Sequence, residues 1–422
     1  MSSKCRSRFG ASEVPPDDTL HSESEPAGSC DGLIVSDRAG APASVLALSS
    51  ASQTDADAER PPRPFPAVVE IEDLDWAALR KFAGGGDFRA RIESIIERME
   101  VFLDDPATPM LFDAYRGFAH DRAIHITSAG DSALWIIGDL HGDLLALEAA
   151  LALIRSHPQH GSPNARIIFL GDLFDDQGFG LEILLQIFEL VATNPATVCI
   201  IAGNHDEALG HDGTRFISTV SPSDFSEFLN SHEADQAIVR AGKLAIRLFQ
   251  NAPRALFFPD GLLVAHGGFP LADLHPRLQE TGDWNSPSCL SDFVWARAHP
   301  TARKKLPNRF TRGSQFGHED FGAFCSVASS LGRPITHMVR GHDHVEERYQ
   351  VYAAYKANPI LTTVALSRRL SREFLGTHER FPTVALYTEG SLPQVFRLHI
   401  PAQLVREFYP EASEPPACED AS

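Results

Sequence analysis

From residue 132 onward the chain alternates short, continuous apolar runs with amphipathic helical stretches, and this alternation limits the fold more than any other feature. Leu134-Trp135-Ile136-Ile137, Ile167-Ile168-Phe169-Leu170 and Val198-Cys199-Ile200-Ile201 carry no charged or amide residue. An unbroken apolar run of this length reads as a strand buried on both faces, because a half-exposed strand alternates. Between the runs, Leu144, Leu147, Leu151 and Ile154 recur at helical spacing, as do Leu181, Leu184, Leu185 and Phe188. Each intervening stretch therefore carries one apolar stripe. Strand–helix–strand–helix–strand implies right-handed crossovers within one sheet. Further strands are expected at Leu262-Leu263-Val264-Ala265, at His337-Met338-Val339, from Leu361 to Leu366 and from Val384 to Tyr387. The class that follows is α/β, a sandwich of two sheets flanked by helices.

The flanks differ in texture. Residues 1–66 are rich in Ser, Ala, Pro, Asp and Glu and poor in aromatics, so they are expected to be a disordered tail. Residues 410–422, with Glu414-Pro415-Pro416, read the same way. Within 67–130, Ile92, Ile95, Ile96, Met99 and Phe102 mark a helix, and the segment is expected to be a helical cap on the main domain, 131–409. A chain of 422 residues with 43% hydrophobic residues can bury a large core. Its formal charge of −19 argues against a general nucleic-acid binder, which needs a basic footprint.

The six cysteines, at 5, 30, 199, 289, 325 and 418, form no C-x-x-C pair, which points to a reducing compartment. No apolar stretch has the length of a membrane span, and no apolar run follows Lys4, Arg6 and Arg8. A cytoplasmic location without membrane contact is the expectation.

Polar clusters stand where the expected strands end. Gly138-Asp139-Leu140-His141-Gly142 follows the first and Gly171-Asp172-Leu173-Phe174-Asp175 the second. Gly203-Asn204-His205-Asp206 follows the third, then come His266-Gly267-Gly268 and Gly341-His342-Asp343-His344. Ligands of open α/β sheets bind outside the carboxyl ends of strands, so these clusters should converge. Oxygen and imidazole donors without a thiolate suit Mn²⁺, Fe, Zn²⁺ or Mg²⁺. A carboxylate shared by two such ions holds them roughly 3.5–4 Å apart with a hydroxide between them. Asp172, at the end of the middle run, is the natural bridge. Seven other histidines (157, 160, 211, 232, 275, 299 and 318) have no partner pattern and read as ordinary.

In this order, GDLHG, GDLFDDQ, GNHD, HGG and RGHDH resemble the calcineurin-like metallophosphoesterase superfamily. The likeness covers about residues 132–390 and is greatest to the phosphoprotein phosphatase branch, which includes calcineurin and the symmetrical diadenosine tetraphosphatases. Gly180-Leu181-Glu182, Arg340-Gly341-His342 and Tyr349 match that branch between and after the motifs. The resemblance implies a sandwich of two mixed sheets and makes 131–409 the catalytic domain. It also implies two divalent metal ions, Mn²⁺ first among them. Asp139, His141 and Asp172 would hold one, and Asp172, Asn204, His266 and His342 the other. His344, in G-H-x-H, would add an imidazole to the first. His205 would protonate the leaving oxygen and Asp175 would orient it. Arg312-Gly313, followed by Phe316-Gly317, resembles the stretch that carries a phosphate-binding arginine.

One departure bears on substrate. The branch reads G-D-x-V-D-R-G at the second motif, and here Asp176 stands in place of the arginine. An anion facing a dianionic phosphate should weaken its binding unless another arginine fills in, with Arg215, Arg309 and Arg312 as candidates. The leading expectation is a phosphomonoesterase acting on a phosphoprotein or small phosphoester. Hydrolysis of a phosphodiester or dinucleoside polyphosphate is the alternative that tolerates Asp176, and a non-catalytic phosphate-binding module is the alternative from another class.

Overall fold

The apolar runs become strands because their side chains are covered from both sides. A computed structural model describes residues 65–410, apart from 86, 106, 131, 163, 308–311 and 374–375. Apart from residues 65, 66 and 410, the tails expected at 1–66 and 410–422 lie outside the described residues.

Two six-stranded sheets dominate. Along the chain their strands are β1 (Ala67–Ile71), β2 (Ala123–His125), β3 (Leu134–Ile137), β4 (Arg166–Phe169), β5 (Val198–Ile200), β6 (Ala255–Phe257), β7 (Leu262–Ala265), β8 (His337–Arg340), β9 (Tyr349–Val351), β10 (Ile360–Thr363), β11 (Thr383–Tyr387) and β12 (Gln394–Leu398). The first sheet has the order β1-β12-β11-β3-β4-β5 and the second β9-β10-β8-β7-β6-β2. In the first, β3, β4 and β5 are parallel, with Ile137 beside Phe169 and Phe169 beside Ile200, and β11 closes antiparallel on β3. In the second, β7, β8 and β10 are parallel, while β9 pairs antiparallel with β10 and β6 with β7. Both sheets are thus mixed, as expected.

Alternate residues of each run go to different cores. Leu134, Ile136, Ile168 and Cys199 meet Leu256, Val264, Val339 and Leu361 between the two sheets. Trp135, Ile137, Ile167 and Phe169 face the other way, into a core shared with the helices. Those helices are α1 (Ile92–Asp104), α2 (Leu144–Ser156), α3 (Gly180–Thr193) and α4 (Gln236–Asn251). The first three follow the expected stripes. The fourth buries Ala241, Leu244, Ala245 and Leu248 on one face and was not anticipated.

The segment 67–130 differs from a purely helical cap. It supplies α1, but β1 also pairs in parallel with β12 and β2 with β6, so it extends an edge of each sheet. The β-branched Val68, Val69 and Ile71 suit that edge position. Among the described residues no helix is long and apolar enough to cross a membrane. Cys199, Cys289 and Cys325 are buried and carry free thiols.

On α2, Glu148 is buried beside Gln186, and its Oε1 has no hydrogen-bond partner. Burial raises its pKa from 4.5 to about 7, against the lowering effect of Gln186, Arg155 and Lys81. A raised carboxyl binds more protons folded than unfolded, so stability falls as pH rises from 4.5 to about 7 and is flat above. Glu148→Gln removes that fall. Its melting temperature should exceed the parent's at pH 8, by the equivalent of roughly 2–3 kcal/mol. The gap should close towards pH 4.5, as thermal melts across that range would read out.

Candidate metal centre

Five loops, after β3, β4, β5, β7 and β8, bring the expected donors together. Among the described residues, three groups of side chains have ligand atoms within 4.8 Å of one another: Asp139, His141 and His344; His141, Asp172 and His205; and Asp172, His266 and His342. Asp172 and His141 each belong to two groups, so the donors form one continuous cluster. Asn204 joins it, with Oδ1 3.2 Å from His266 Nε2.

The loop backbones aim these donors. His141 Nδ1 lies 3.2 Å from Phe174 O, and His266 Nδ1 lies 2.9 Å from Leu170 O. A ring N–H donated to a carbonyl leaves a lone pair on the opposite nitrogen. Each Nε2 therefore presents its lone pair to the cluster. His141 Nε2 stands 3.5 Å from Asp172 Oδ2 and His266 Nε2 stands 3.3 Å from the same oxygen. The backbone N–H of His342 donates to Asp139 Oδ2 at 2.8 Å, and that of His205 donates to Asp172 Oδ1 at 2.9 Å. Gly341 and Gly203 permit these approaches, since a Cβ at either would collide with Asp139 Oδ1 or Asp172 Oδ1. His141, Asp172, Asp175, Asp176 and His342 all have positive φ, between 37° and 69°. Such strain in non-glycine residues persists where surrounding contacts overdetermine it.

Electrostatics test whether a metal suits the cluster. Lone pairs aimed at buried carboxylates repel them unless a cation lies between. Burial alone lowers the pKa of His266, yet Asp172 and Asp139 raise it to about 9. The two carboxylates thus draw positive charge into a buried place, and the O and N donors of the cluster fit divalent cations.

His344 joins this cluster, with Nε2 3.2 Å from Asp139 Oδ2 and 3.1 Å from His141 Nε2. Behind it, Nδ1 lies 3.6 Å from Glu373, which is gripped by both terminal nitrogens of the buried Arg348. His205 Nδ1 is 2.7 Å from Asp175 Oδ2, and the other oxygen of Asp175 accepts from the backbone of Phe225. Burial pulls the pKa of His205 down, but Asp172 and Asp175 raise it overall.

Several buried groups that hold the loops were not foreseen. Asp206 accepts from the backbone N–H groups of Gly203, Asp172 and Leu173, tying the second loop to the third. Asp143 accepts from Ser367 and from the Tyr409 hydroxyl, which follows the helix Ala402–Phe408. Arg368 donates to the carbonyls of His141 and Asp176. For Asp206, the G-N-H-D motif was the available signal. For the others, the partners lie about two hundred residues apart and the sequence gives no cue.

Asp176 requires a correction. It was expected to present its carboxylate to substrate, but it is only 5% exposed, and both its oxygens are buried without a hydrogen-bond partner among the described residues, in ion-pair contact only. Its Oδ2 lies 3.1 Å from His141 Nδ1 and 2.8 Å from Arg372 Nη2. Burial opposes ionisation, yet His141 and Arg372 hold its pKa at about 2. The backbone N–H groups of Asp176 and Gln177 both donate to Asp224, which fixes this inward turn.

Of the arginines considered as replacements, Arg312 lies over the Trp295 ring at 4.5 Å, with Ser291 as hydrogen-bond partner. Arg215 is exposed on a hairpin beside Asp212. Arg309 falls outside the described residues. None of the seven histidines read as ordinary enters a donor group.

The family model of calcineurin-like phosphoesterases matches residues 133–346, the span that holds all the donor loops. The chain belongs to the calcineurin-like phosphoesterase family. Among its relatives, the serine/threonine-protein phosphatase 6 catalytic subunit of Caenorhabditis elegans is 23% identical over 240 residues, which are 55% of this chain and 64% of that protein. Serine/threonine-protein phosphatase T of Schizosaccharomyces pombe is 23% identical over 241 residues, 54% of this chain and 45% of that one. The chain thus spans less than two thirds of these relatives. A Saccharomyces cerevisiae protein serine/threonine phosphatase, described as similar to human phosphatase PP5, superposes with a TM-score of 0.48 at 17% identity. That superposition covers 73% of this chain and 89% of that one.

Proposed function

We propose that this calcineurin-like phosphoesterase is a phosphatase that hydrolyses phosphoric monoesters at a two-metal centre. The observation that carries the reading is the continuous donor cluster joined through Asp172 and His141, with His205 paired to Asp175 at its edge. Asp139, His141, Asp172 and His344 are assigned to one cation, and Asp172, Asn204, His266 and His342 to the other, with Mn²⁺ the first ion to try. Two divalent cations supply Lewis acidity to the phosphoryl oxygens and offset the buried carboxylates.

The chain's own groups do the rest. Asp172 serves both cation sites, and its orientation is held by the backbone of His205. His205 is the acid that gives its proton to the departing oxygen. Asp175 fixes its tautomer by accepting at Nδ1, which leaves Nε2 to act. Because Asp176 is turned inward, the reason for favouring a diester over a monoester falls away. Residues 131–409 are the catalytic unit in this reading, the substrate is a phosphoprotein or small phosphoester, and the free buried thiols fit the cytoplasm.

The test is a panel in Mn²⁺: a phosphoserine peptide, nitrophenyl phosphate, its bis-ester and a dinucleoside tetraphosphate. Turnover of the monoesters ahead of the others supports the reading, and preference for the bis-ester or the tetraphosphate contradicts it. His205→Asn should slow the peptide by about 10²–10⁴-fold, because serine is a poor leaving group that needs a proton. Nitrophenyl phosphate, whose leaving oxygen needs little help, should lose less than about tenfold. Equal losses on both substrates would remove His205 from the acid role.

A further inference from the structure

We infer that Arg372 is the substrate-phosphate clamp of this chain, held in place by Asp176; the inference rests on the phosphatase reading above. Asp176 occupies the position where the second motif of related chains has an arginine. Its inward carboxylate draws a guanidinium to the same place from a loop nearly two hundred residues later. Arg372 Nη2 lies 2.8 Å from Asp176 Oδ2 and 3.3 Å from His141 Nε2, the nitrogen that faces the donor cluster. The pair therefore sets a cation at the edge of the centre.

Arg372 also has capacity to spare. Its side chain is 35% exposed, and among the described residues Nε and Nη1 have no protein partner. Of its neighbours, Arg368 donates to backbone carbonyls around Asp176 and Arg340 is buried against Gly267 and Asp343, while Arg297 reaches His342 O and Asp343 through Nη1 alone. A guanidinium held at Nη2, with Nε and Nη1 open, is pre-organised to donate to a phosphoryl oxygen. Asp176, on this account, is a positioning residue, and Arg372 is the group that touches substrate.

The experiment measures binding of inorganic phosphate to the Mn²⁺-loaded protein by calorimetry, alongside KM for nitrophenyl phosphate. Arg372→Ala should weaken phosphate binding by about tenfold or more and raise KM by a similar factor. Arg372→Lys should recover part of the loss, since it restores a charge but not the fork. Asp176→Asn should fall between parent and Arg372→Ala. Should Arg372→Ala fail to fold, Arg372→Gln, which keeps a polar side chain at this place, is read in the same way. Phosphate affinity within about twofold of the parent in the Arg372 variant overturns the inference, as does a loss found in Arg312→Ala instead. The two readings fail separately. A parent protein that hydrolyses no ester refutes the phosphatase assignment, whereas an active parent with an unaffected Arg372 variant refutes only the clamp.

Discussion

Asp172→Asn should lower kcat/KM for a monoester by at least about 10³-fold, equivalent to roughly 4 kcal/mol of transition-state stabilisation, while the protein stays folded. The contrast follows from what each oxygen of Asp172 does. Oδ1 accepts the backbone N–H of His205, and an asparagine oxygen can accept it equally well. Oδ2 is the atom that His141 Nε2 and His266 Nε2 both approach, at 3.5 and 3.3 Å. A neutral amide there loses the charge proposed to serve both cation sites, and its N–H₂ is no ligand. Burial favours the neutral form of Asp172, but His266, His205 and His141 hold its pKa well below the usual carboxylate range. The charged form is thus the one this place is built around. Steady-state kinetics with circular dichroism would show the loss and the intact fold together. Near-parental turnover in a variant that keeps both metals would remove Asp172 from the bridge.

The donor set was legible in the sequence because its chemistry is local. Asp139, His141, Asp172, Asn204, His266 and His342 each sit one to four residues after a short apolar run, flanked by the glycines the loops need. Strand and candidate donor were read from one stretch of chain, and each loop brings its residue to the common cluster. His344 followed from its place two residues beyond His342.

What escaped was what depends on distant partners. Asp176 was read by its place in the motif, which says nothing of where the side chain turns. That direction is set by a left-handed backbone, by Asp224 and by Arg372. Arg372 itself lies in a basic stretch, Arg368-Arg369-Leu370-Ser371-Arg372, where nothing local separates the arginine that faces the donors from Arg368, which holds loop carbonyls, or from Arg369. Edge strands were missed for a similar reason. β1 and β2 precede the regular alternation, and each is defined by a partner more than a hundred residues away.

Removing the metals should have the second large effect, and on stability as well as rate. Without cations, Asp139 and Asp172 are buried within one cluster, and burial together with the neighbouring Asp172 charge raises the pKa of Asp139. A ligand that binds only the folded state adds about 4 kcal/mol at a thousand times its dissociation constant, so the metal-free protein should melt several degrees lower. The decisive measurement is the metal content of the purified chain by elemental analysis, before and after dialysis against a chelator, with monoesterase activity and melting temperature followed on the same samples. The account predicts close to two divalent ions per chain, loss of both activity and thermal stability on chelation, and recovery of both with Mn²⁺. Full activity and an unchanged melting temperature in a chain stripped of metal would contradict it.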